Sequence, residues 1–206
     1  MSSGDMRLFD FVLRNSRRLI VELGMGDGLL LKKLIEQNCD IQLVSNTTRA
    51  TYVGIEIDKK QYDMAKARIR ANKNVFLLNA PQEDILPLFP NNSIDQILYV
   101  LPDPKYIDKL KQSEWESFYK ASYSKLKNQG LLRLVTELTN DLLDPVSDEE
   151  YETWIQWLSN TFQTIGFTIK EIMHLPPDGI TTRYLIQFGG DIERIRIATL
   201  DLMKEN

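Results

Sequence analysis

The stretch Val21-Glu22-Leu23-Gly24-Met25-Gly26-Asp27-Gly28 carries three glycines at alternate positions. Apolar residues precede it, as in a buried strand, and leucines at helical spacing follow from Leu29. The pattern therefore predicts a strand, a glycine-rich turn and a helix. Glycine has no Cβ and can adopt a positive φ, so a ligand can lie against bare backbone at such a turn, facing the first amides of the helix. The alternative is a structural turn that binds nothing.

A second acidic residue favours a ligand site over a bare turn. Tyr52–Ile55 predicts the next strand, and Glu56 falls at its carboxyl end. In doubly wound α/β folds an acid at that place hydrogen-bonds ribose hydroxyls. The usual gap after the glycines is about 20 residues, and a polar surface loop over 38–50 accounts for the longer crossover in this chain. The alternative is a solvated carboxylate at a strand end.

Length and composition predict one domain over residues 1–206. Apolar residues make up 43% of the chain, without a run of 18 that could span a membrane. The first residues lack the pattern of a signal peptide. The single cysteine, Cys39, and the single histidine, His174, exclude an internal disulfide and a thiol or imidazole metal cluster. We expect a cytoplasmic protein that binds neither membrane nor metal.

The charge is divided unevenly along the chain. The formal net charge is −4, with +3 on residues 1–130 and −7 on residues 131–206. Proteins that bind nucleic acids usually present a basic face. The composition therefore argues against a large RNA-binding patch, but it is compatible with a local basic rim in the first 130 residues.

Two more predicted strands end in polar residues. Val75–Leu78 is followed by Asn79-Ala80, which could meet the adenine edge of a nucleotide-like ligand. Ile94–Leu101 leads into Pro102-Asp103-Pro104-Lys105-Tyr106, where the two prolines stiffen the chain around Asp103. A carboxylate held in a stiff loop at a strand end is well placed for a reacting centre. The alternative is a proline-rich turn in which Asp103 caps the segment that follows.

The remaining pattern alternates helices and strands. The predicted helices are 7–16, Leu29–Gln37, Lys60–Asn72, Ser113–Lys127 with Gly130 at its C-cap, Asp148–Thr164 after a Ser147/Glu150 capping box, and Asp191–Lys204. The later predicted strands are Leu131–Leu138 and an antiparallel pair, Phe167–Leu175 and Thr181–Phe188. This alternation predicts an α/β, doubly wound, mostly parallel sheet with helices on both faces and ligands at the carboxyl ends of the strands.

With these motifs in place, the whole chain resembles the Rossmann-like, S-adenosylmethionine-dependent methyltransferases, which have seven strands with the last antiparallel. Glu22-Leu23-Gly24-Met25-Gly26 is similar to their glycine motif. Within that superfamily the chain is most similar to the tRNA (guanine-N7)-methyltransferases. The matching segments are Gly54-Ile55-Glu56, Asn79-Ala80, Pro102-Asp103-Pro104, Thr136-Glu137, and Thr182-Arg183-Tyr184-Leu185 as the counterpart of a T-K-F-E motif.

The resemblance implies S-adenosyl-L-methionine as cofactor and tRNA as substrate, for a monomer or homodimer. Asp103 would be the catalytic group, orienting the guanine and balancing charge. The implied cofactor-binding residues are Glu22, Gly24, Gly26, Gly28, Glu56, Ile57, Asn79 and Ala80. The implied substrate-binding residues are Lys105, Glu137, Thr182 and Arg183.

The chain departs from the family's pattern at several places, and these leave alternatives open. Asn79 replaces an Asp, Lys105 replaces a Trp, Leu185 replaces a Glu, and Tyr106–Lys111 lacks the family's basic run. Asp103-Pro104-Lys105-Tyr106 also resembles the D-P-P-Y motif of nucleobase amino-methyltransferases. The alternatives are a methyltransferase for another nucleobase atom, a small molecule or a protein, a non-catalytic subunit with an RNA-binding partner, and a nicotinamide dehydrogenase, which the long gap to Glu56 disfavours.

Overall fold

A computed structural model describes residues 13, 16–37, 50–69, 74–140, 144–180, 182–188 and 191–205. The predicted helix over 7–16 and the predicted loop over 38–50 lie almost entirely outside these residues. Within the described ranges, no helix is both long and apolar enough to cross a bilayer.

Seven strands form one sheet in the order β3-β2-β1-β4-β5-β7-β6. Their bounds are β1 Leu19–Leu23, β2 Thr51–Glu56, β3 Val75–Asn79, β4 Ile94–Val100, β5 Leu126–Leu138, β6 Thr168–Met173 and β7 Arg196–Met203. The neighbours from β3 to β5 pair in parallel, whereas β7 runs antiparallel to both β5 and β6. This topology confirms the predicted fold class, a mostly parallel, seven-stranded, Rossmann-like sheet whose last strand is antiparallel.

Helices cover both faces of the sheet. They are α1 Leu29–Gln37, α2 Lys59–Arg68, α3 Gln82–Ile85, α4 Gln112–Lys125, α5 Asp148–Ile165 and α6 Arg183–Phe188. Alternate residues of β1 explain this arrangement, because successive side chains of a strand point to opposite faces. Val21 joins the apolar cluster that contains α4 and α5 residues such as Tyr119 and Phe162, whereas Ile20 joins the cluster that contains Leu30 of α1 and Ala65 of α2.

The structure corrects two predictions in the last part of the chain. The predicted strand Thr181–Phe188 contains helix α6, and the predicted helix Asp191–Lys204 contains strand β7. Thr182 explains the first, since its Oγ1 accepts a hydrogen bond from the Leu185 N–H, 3.1 Å away, as an N-cap does. The second is a case of tertiary pairing: β7 is buried along almost its whole length between β5 and β6, which overrides its local helix propensity.

A third correction concerns Gly130, which we predicted at the C-cap of the fourth helix. Helix α4 ends at Lys125, and Gly130 already lies in β5. A Cβ at Gly130 would lie 2.7 Å from the Lys127 carbonyl oxygen, so a close backbone approach explains this glycine. In contrast, the Ser147/Glu150 capping box is confirmed, with the side chain of each residue accepting from the backbone of the other.

Candidate functional site

Most of the predicted cofactor-binding residues, together with Asp103, lie at or just after the carboxyl ends of adjacent strands. Parallel strands β3, β2, β1 and β4 end at Asn79, Glu56, Leu23 and Val100, side by side at one edge of the sheet. The glycine turn follows β1, and Asp103 follows β4 three residues after its end. This edge is where ligands bind in doubly wound folds.

The three glycines of the turn serve two purposes. All have positive φ, of +62° at Gly24, +55° at Gly26 and +72° at Gly28. A Cβ at Gly26 would meet nothing within 4 Å, so its backbone borders open space. A Cβ at Gly28 would lie 2.8 Å from the Cβ of Ala65, so this glycine lets α1 pack against α2. The geometry therefore fits a ligand contact at Gly26 and close helix packing at Gly28.

Glu56 is held rigidly at the end of β2. Its Oε2 accepts from the Gly26 N–H and its Oε1 from the Asp58 N–H, both at 2.8 Å. The residue is only 8% exposed, so it is not the solvated carboxylate of the alternative interpretation. A carboxylate offers about four lone-pair positions, so two positions remain for a pair of ligand hydroxyl groups.

The end of β3 presents a hydrogen-bond acceptor beside an apolar surface. Asn79 donates from Nδ2 to the carbonyl oxygens of Glu56 at 2.8 Å and Ile57 at 3.1 Å, which leaves its Oδ1 as an acceptor. Asn79 therefore offers an acceptor oxygen, as an Asp at this place would. Ile57 is 68% exposed although it is apolar. The Ala80 N–H donates to the Glu56 carbonyl oxygen at 3.2 Å, so Ala80 contributes its small side chain rather than a free N–H.

Two cavities adjoin at this edge and share Gly24, Val100 and Leu101 in their walls. The larger has a volume of about 330 Å³, and its wall includes Gly26, Asp27, Glu56, Asp58, Gln61, Thr182, Arg183 and Tyr184. The smaller has a volume of about 180 Å³, and its wall includes Ile57, Ala80, Gln82, Glu83, Tyr99, Asp103, Lys105 and Tyr106. An elongated ligand that passes over Gly24 could occupy parts of both.

Glu22 is a buried carboxylate beside the glycine turn. It is 2% exposed, and its Oε2 has no hydrogen-bond partner among the described residues. Burial, with the negative charges of Glu56 and Asp27 as smaller causes, raises the pKa of Glu22 from 4.5 to about 8. Asp27 itself is paired with Arg68, whose Nη1 lies 2.7 Å from its Oδ1. A positively charged ligand would stabilise the ionised form of Glu22.

The Asp103 loop is braced from two sides. Asp103 Oδ1 accepts from the Lys105 N–H at 3.0 Å and so caps the short 3-10 turn Pro104–Tyr106, as the alternative interpretation predicted. This cap uses one of the two carboxylate oxygens. The Tyr106 hydroxyl donates to Glu83. Before the loop, Leu101 has a φ of +51°, a conformation that side chains rarely adopt and that is often found at functional sites.

The predicted substrate residues are divided between three places. Lys105 lines the smaller cavity, with its Nζ 4.0 Å from Glu83 Oε1 and 4.9 Å from the centre of the Tyr106 ring. Thr182 and Arg183 line the larger cavity, beside the glycine turn. Glu137 lies near the end of β5, outside the walls of both cavities, and burial raises its pKa to about 7.

Sequence reasoning missed several residues of the two cavities. The smaller cavity is also lined by Gln82, Glu83, Tyr99 and Tyr106, and Gln82 donates to the Tyr99 hydroxyl. Asp27 and Tyr184 belong to the larger cavity, and each lies within a motif that the sequence singled out, Asp27 in the glycine turn and Tyr184 in Thr182-Arg183-Tyr184-Leu185. In the described part of the chain, no group of three or more His, Cys, Asp or Glu side chains is arranged to hold a metal ion.

Comparison with known proteins gives a family match over most of the chain. A family model described as "Putative methyltransferase" matches residues 16–184. A tRNA (guanine-N(7)-)-methyltransferase from Helicobacter pylori (strain J99 / ATCC 700824) is 28% identical over 136 residues, which are 65% of this chain and 32% of that protein. A bifunctional glycosyltransferase/methyltransferase from Fusobacterium nucleatum is 27% identical over 144 residues, 67% of this chain and 21% of that protein. The chain thus covers a third or less of the length of these relatives.

Solved structures share the fold at low sequence identity. The 16S rRNA methyltransferase KamB superposes with a TM-score of 0.69 and 15% identity, covering 100% of this chain and 95% of that one. A 16S rRNA (adenine(1408)-N(1))-methyltransferase from Catenulisporales acidiphilia, solved with its cosubstrate SAM, gives a TM-score of 0.65 at 13% identity, covering 100% of this chain and 93% of that one.

Proposed function

The chain belongs to the methyltransferase family whose model spans residues 16–184, and on this premise we propose that it transfers a methyl group from S-adenosylmethionine to N7 of a guanine in tRNA. One observation carries the proposal. The glycine turn, Glu56, Asn79 and Asp103 lie at or just after the ends of four adjacent strands, where two adjoining cavities are lined by Gly24, Gly26, Glu56 and Asp103. Such an arrangement suits a nucleoside-bearing cofactor with an acceptor beside it.

The residues present fit S-adenosylmethionine. The two remaining lone-pair positions of Glu56 suit the two ribose hydroxyls, and the open backbone of Gly26 permits close approach. Asn79 Oδ1 would accept from the adenine amino group, with Ile57 against the ring. Glu22 would supply a negative charge near the sulfonium.

The chemistry asks little of the protein beyond positioning. When bound, S-adenosylmethionine supplies a methyl group on a positively charged sulfur. Guanine N7 has a free lone pair, so no base is needed to remove a proton from it. The Asp103 oxygen that does not cap the turn would accept from the guanine N–H groups and balance the positive charge that develops on the base. Holding the acceptor in line with the methyl group would supply much of the rate.

The tRNA part of the proposal rests on the motifs and on the names of relatives. The relative from Helicobacter pylori is named as a tRNA (guanine-N(7)-)-methyltransferase. The guanine would have to be presented from a loop or flipped out of its stack. Lys105, in the cavity that contains Asp103, and Glu137 are the substrate contacts that we propose.

A different methyl acceptor is the second candidate function. It is favoured by the net charge of −7 on residues 131–206, which disfavours a polyanion, and by the Asp103-Pro104-Lys105-Tyr106 segment. A cofactor-binding subunit that depends on a basic, RNA-binding partner would satisfy the same observation.

Methylation of unmodified tRNA tests the proposal directly. The purified protein is incubated with S-adenosylmethionine labelled in its methyl group, and the digested tRNA is analysed for labelled nucleosides. We expect the label in 7-methylguanosine and its loss in the Asp103→Ala variant. Label in a different nucleoside would show that the methylated atom is not guanine N7. Tight binding of the cofactor without any labelling of tRNA would favour the second candidate.

A further inference from the structure

Arg183 occupies a place that suits the cofactor better than the tRNA. The sequence predicted it as a substrate contact, yet it lines the larger cavity together with Gly26 and Glu56. We infer that Arg183 binds the α-carboxylate at the amino-acid end of S-adenosylmethionine. This inference rests on the part of the proposed function that names the cofactor, and it is independent of the acceptor.

The charges around the larger cavity single out Arg183. Among the described residues in its wall, Arg183 is the one cation, whereas Asp27, Glu56 and Asp58 are carboxylates. A cavity of this composition repels a simple anion except near Arg183. The amino-acid end of the cofactor carries one carboxylate and one ammonium group, so it can place a negative charge at Arg183 and a positive charge toward the acidic side.

The carboxylates of this cavity already have partners, whereas the Arg183 side chain has none among the described residues. Glu56 accepts from two backbone amides, Asp58 accepts from the Gln61 N–H at 2.8 Å, and Asp27 is paired with Arg68. Within the described residues, the Arg183 side chain forms neither an ion pair nor a hydrogen bond. Its guanidinium can therefore bind a ligand without breaking an internal contact.

The segment that carries Arg183 is anchored by buried residues, so the backbone position of Arg183 is fixed. Ile180 and Leu185 are 5% and 6% exposed, and both belong to the apolar cluster that contains Leu30 of α1. Thr182 caps the start of α6 through the Leu185 N–H. Residues on both sides of Arg183 thus belong to the apolar cluster that also contains α1 residues, and Arg183 itself lies at the cavity wall.

Guanidinium and carboxylate are well matched. The planar fork of Arg forms two parallel hydrogen bonds to a carboxylate, which a Lys or Gln cannot reproduce. With the adenosine held at Glu56 and Asn79, the amino-acid end would extend into the larger cavity. The inference therefore predicts that Arg183 recognises one chemical group of the ligand and contributes nothing to the rest.

Calorimetry with three ligands distinguishes carboxylate binding by Arg183 from a structural role and from a contact with the tRNA. S-adenosylhomocysteine has the carboxylate, decarboxylated S-adenosylmethionine lacks only the carboxylate of the cofactor, and methylthioadenosine lacks the whole amino-acid end. We expect Arg183→Gln to lower the affinity for S-adenosylhomocysteine by about tenfold or more, because a charged hydrogen-bonded pair is lost. The affinities for the other two ligands should stay within twofold of the wild type. Arg194→Gln, which removes an exposed arginine that lies outside the walls of both cavities, is the matched control and should leave all three affinities unchanged.

Other outcomes would overturn the inference in recognisable ways. Equal weakening of all three ligands by Arg183→Gln would show a structural effect. Unchanged affinities with lower turnover on tRNA would show that Arg183 contacts the substrate, as the sequence predicted. If the wild-type protein bound none of the three, the proposed cofactor would itself fail. If the wild-type protein showed the expected ligand pattern but did not methylate tRNA, only the acceptor would have been assigned wrongly.

Discussion

The Glu56 carboxylate and the Gly26 backbone N–H are joined by a hydrogen bond of 2.8 Å, across 30 residues of sequence. The two motifs that point to a nucleoside ligand are therefore one structural unit. The bond orients the carboxylate and simultaneously fixes the turn whose backbone borders the larger cavity. A change at either residue should affect the geometry of the other.

Removing the Glu56 carboxylate tests this unit. We expect Glu56→Ala to weaken the binding of S-adenosylhomocysteine by about 100-fold or more, since two charged hydrogen bonds to ribose would be lost. Glu56→Gln should also weaken binding, because its NH₂ group would face one of the two backbone N–H donors. Calorimetry measures both, and Asp63→Ala on the exposed side of α2 is the control. If Glu56→Ala bound S-adenosylhomocysteine within threefold of the wild-type affinity, Glu56 would not be a cofactor-binding residue.

Alanine at Gly26 and at Gly28 should produce opposite defects. Both variants place a Cβ at positive φ, at a cost of about 1–2 kcal/mol. At Gly28 the Cβ also meets Ala65 at 2.8 Å, which should add about 1–3 kcal/mol of overpacking. At Gly26 the Cβ enters open space where the ligand would lie. Denaturant unfolding should therefore rank Gly28→Ala as less stable, and calorimetry should rank Gly26→Ala as the weaker binder. The reverse ranking would contradict the assignment of the two glycines.

Glu22 should make the folded protein less stable as the pH rises. Its pKa is about 8 in the folded state against an ordinary 4.5, so between these values the folded protein holds a proton that the unfolded chain has released. The free energy of unfolding therefore falls as the pH rises from 4.5 to about 8. Above about pH 8, Glu22 is ionised in both states and no longer makes the stability depend on pH. Glu137, with its pKa raised to about 7, acts in the same direction.

The Glu22→Gln variant isolates this contribution. We expect it to match the wild type near pH 5 and to exceed it by a few kcal/mol at pH 9, since each pKa unit corresponds to about 1.4 kcal/mol. Denaturant unfolding across this range, in the wild type and in Glu22→Gln, is the measurement. A difference between the two that did not change with pH would show that Glu22 titrates normally.

Local signals in the sequence predicted the first part of the fold well. Helix α1 has the predicted bounds Leu29–Gln37, because a glycine turn starts it and its buried residues Leu30, Leu31 and Leu34 recur at helical spacing. The last part depends on pairing between distant strands. Arg196–Met203 contains good helix formers, but it lies between β5 and β6, and the chain places it there only when the sheet is assembled.

The candidate site was predictable where a strand end alone determines a position. Glu56, Asn79 and Asp103 each follow a predicted strand, so their common edge followed from the fold class. The contact of Tyr106 with Glu83 depends on how the Asp103 loop approaches helix α3, 23 residues away in sequence, and no local pattern in either segment predicts it. The φ of +51° at Leu101 was also unpredictable, because leucine gives no signal for that conformation.

The bond between Tyr106 and Glu83 should position the Asp103 loop rather than bind the cofactor. We expect Tyr106→Phe to lower kcat about tenfold, because small displacements of a positioning group are costly, while the affinity for S-adenosylhomocysteine stays within twofold. Glu83→Gln keeps an acceptor for the hydroxyl and should retain most of the activity. Steady-state kinetics with the tRNA substrate, and calorimetry, separate the two effects. Loss of cofactor affinity in Tyr106→Phe would instead place the bond in the cofactor site.

Asp103 can be tested against a neighbour that has the same structural role. Asp103 Oδ1 caps the turn Pro104–Tyr106, and Asp108 Oδ1 caps the next turn by accepting from the Leu110 N–H at 2.8 Å. Asparagine at either position keeps the cap and removes the charge. We expect Asp103→Asn to lower turnover about 100-fold with unchanged affinity for S-adenosylhomocysteine, as loss of an electrostatic group in the transition state does, whereas Asp108→Asn should remain active. If both variants were equally active, Asp103 would serve only as a cap. If both lost activity equally, the cause would be the total charge of the loop rather than Asp103 itself.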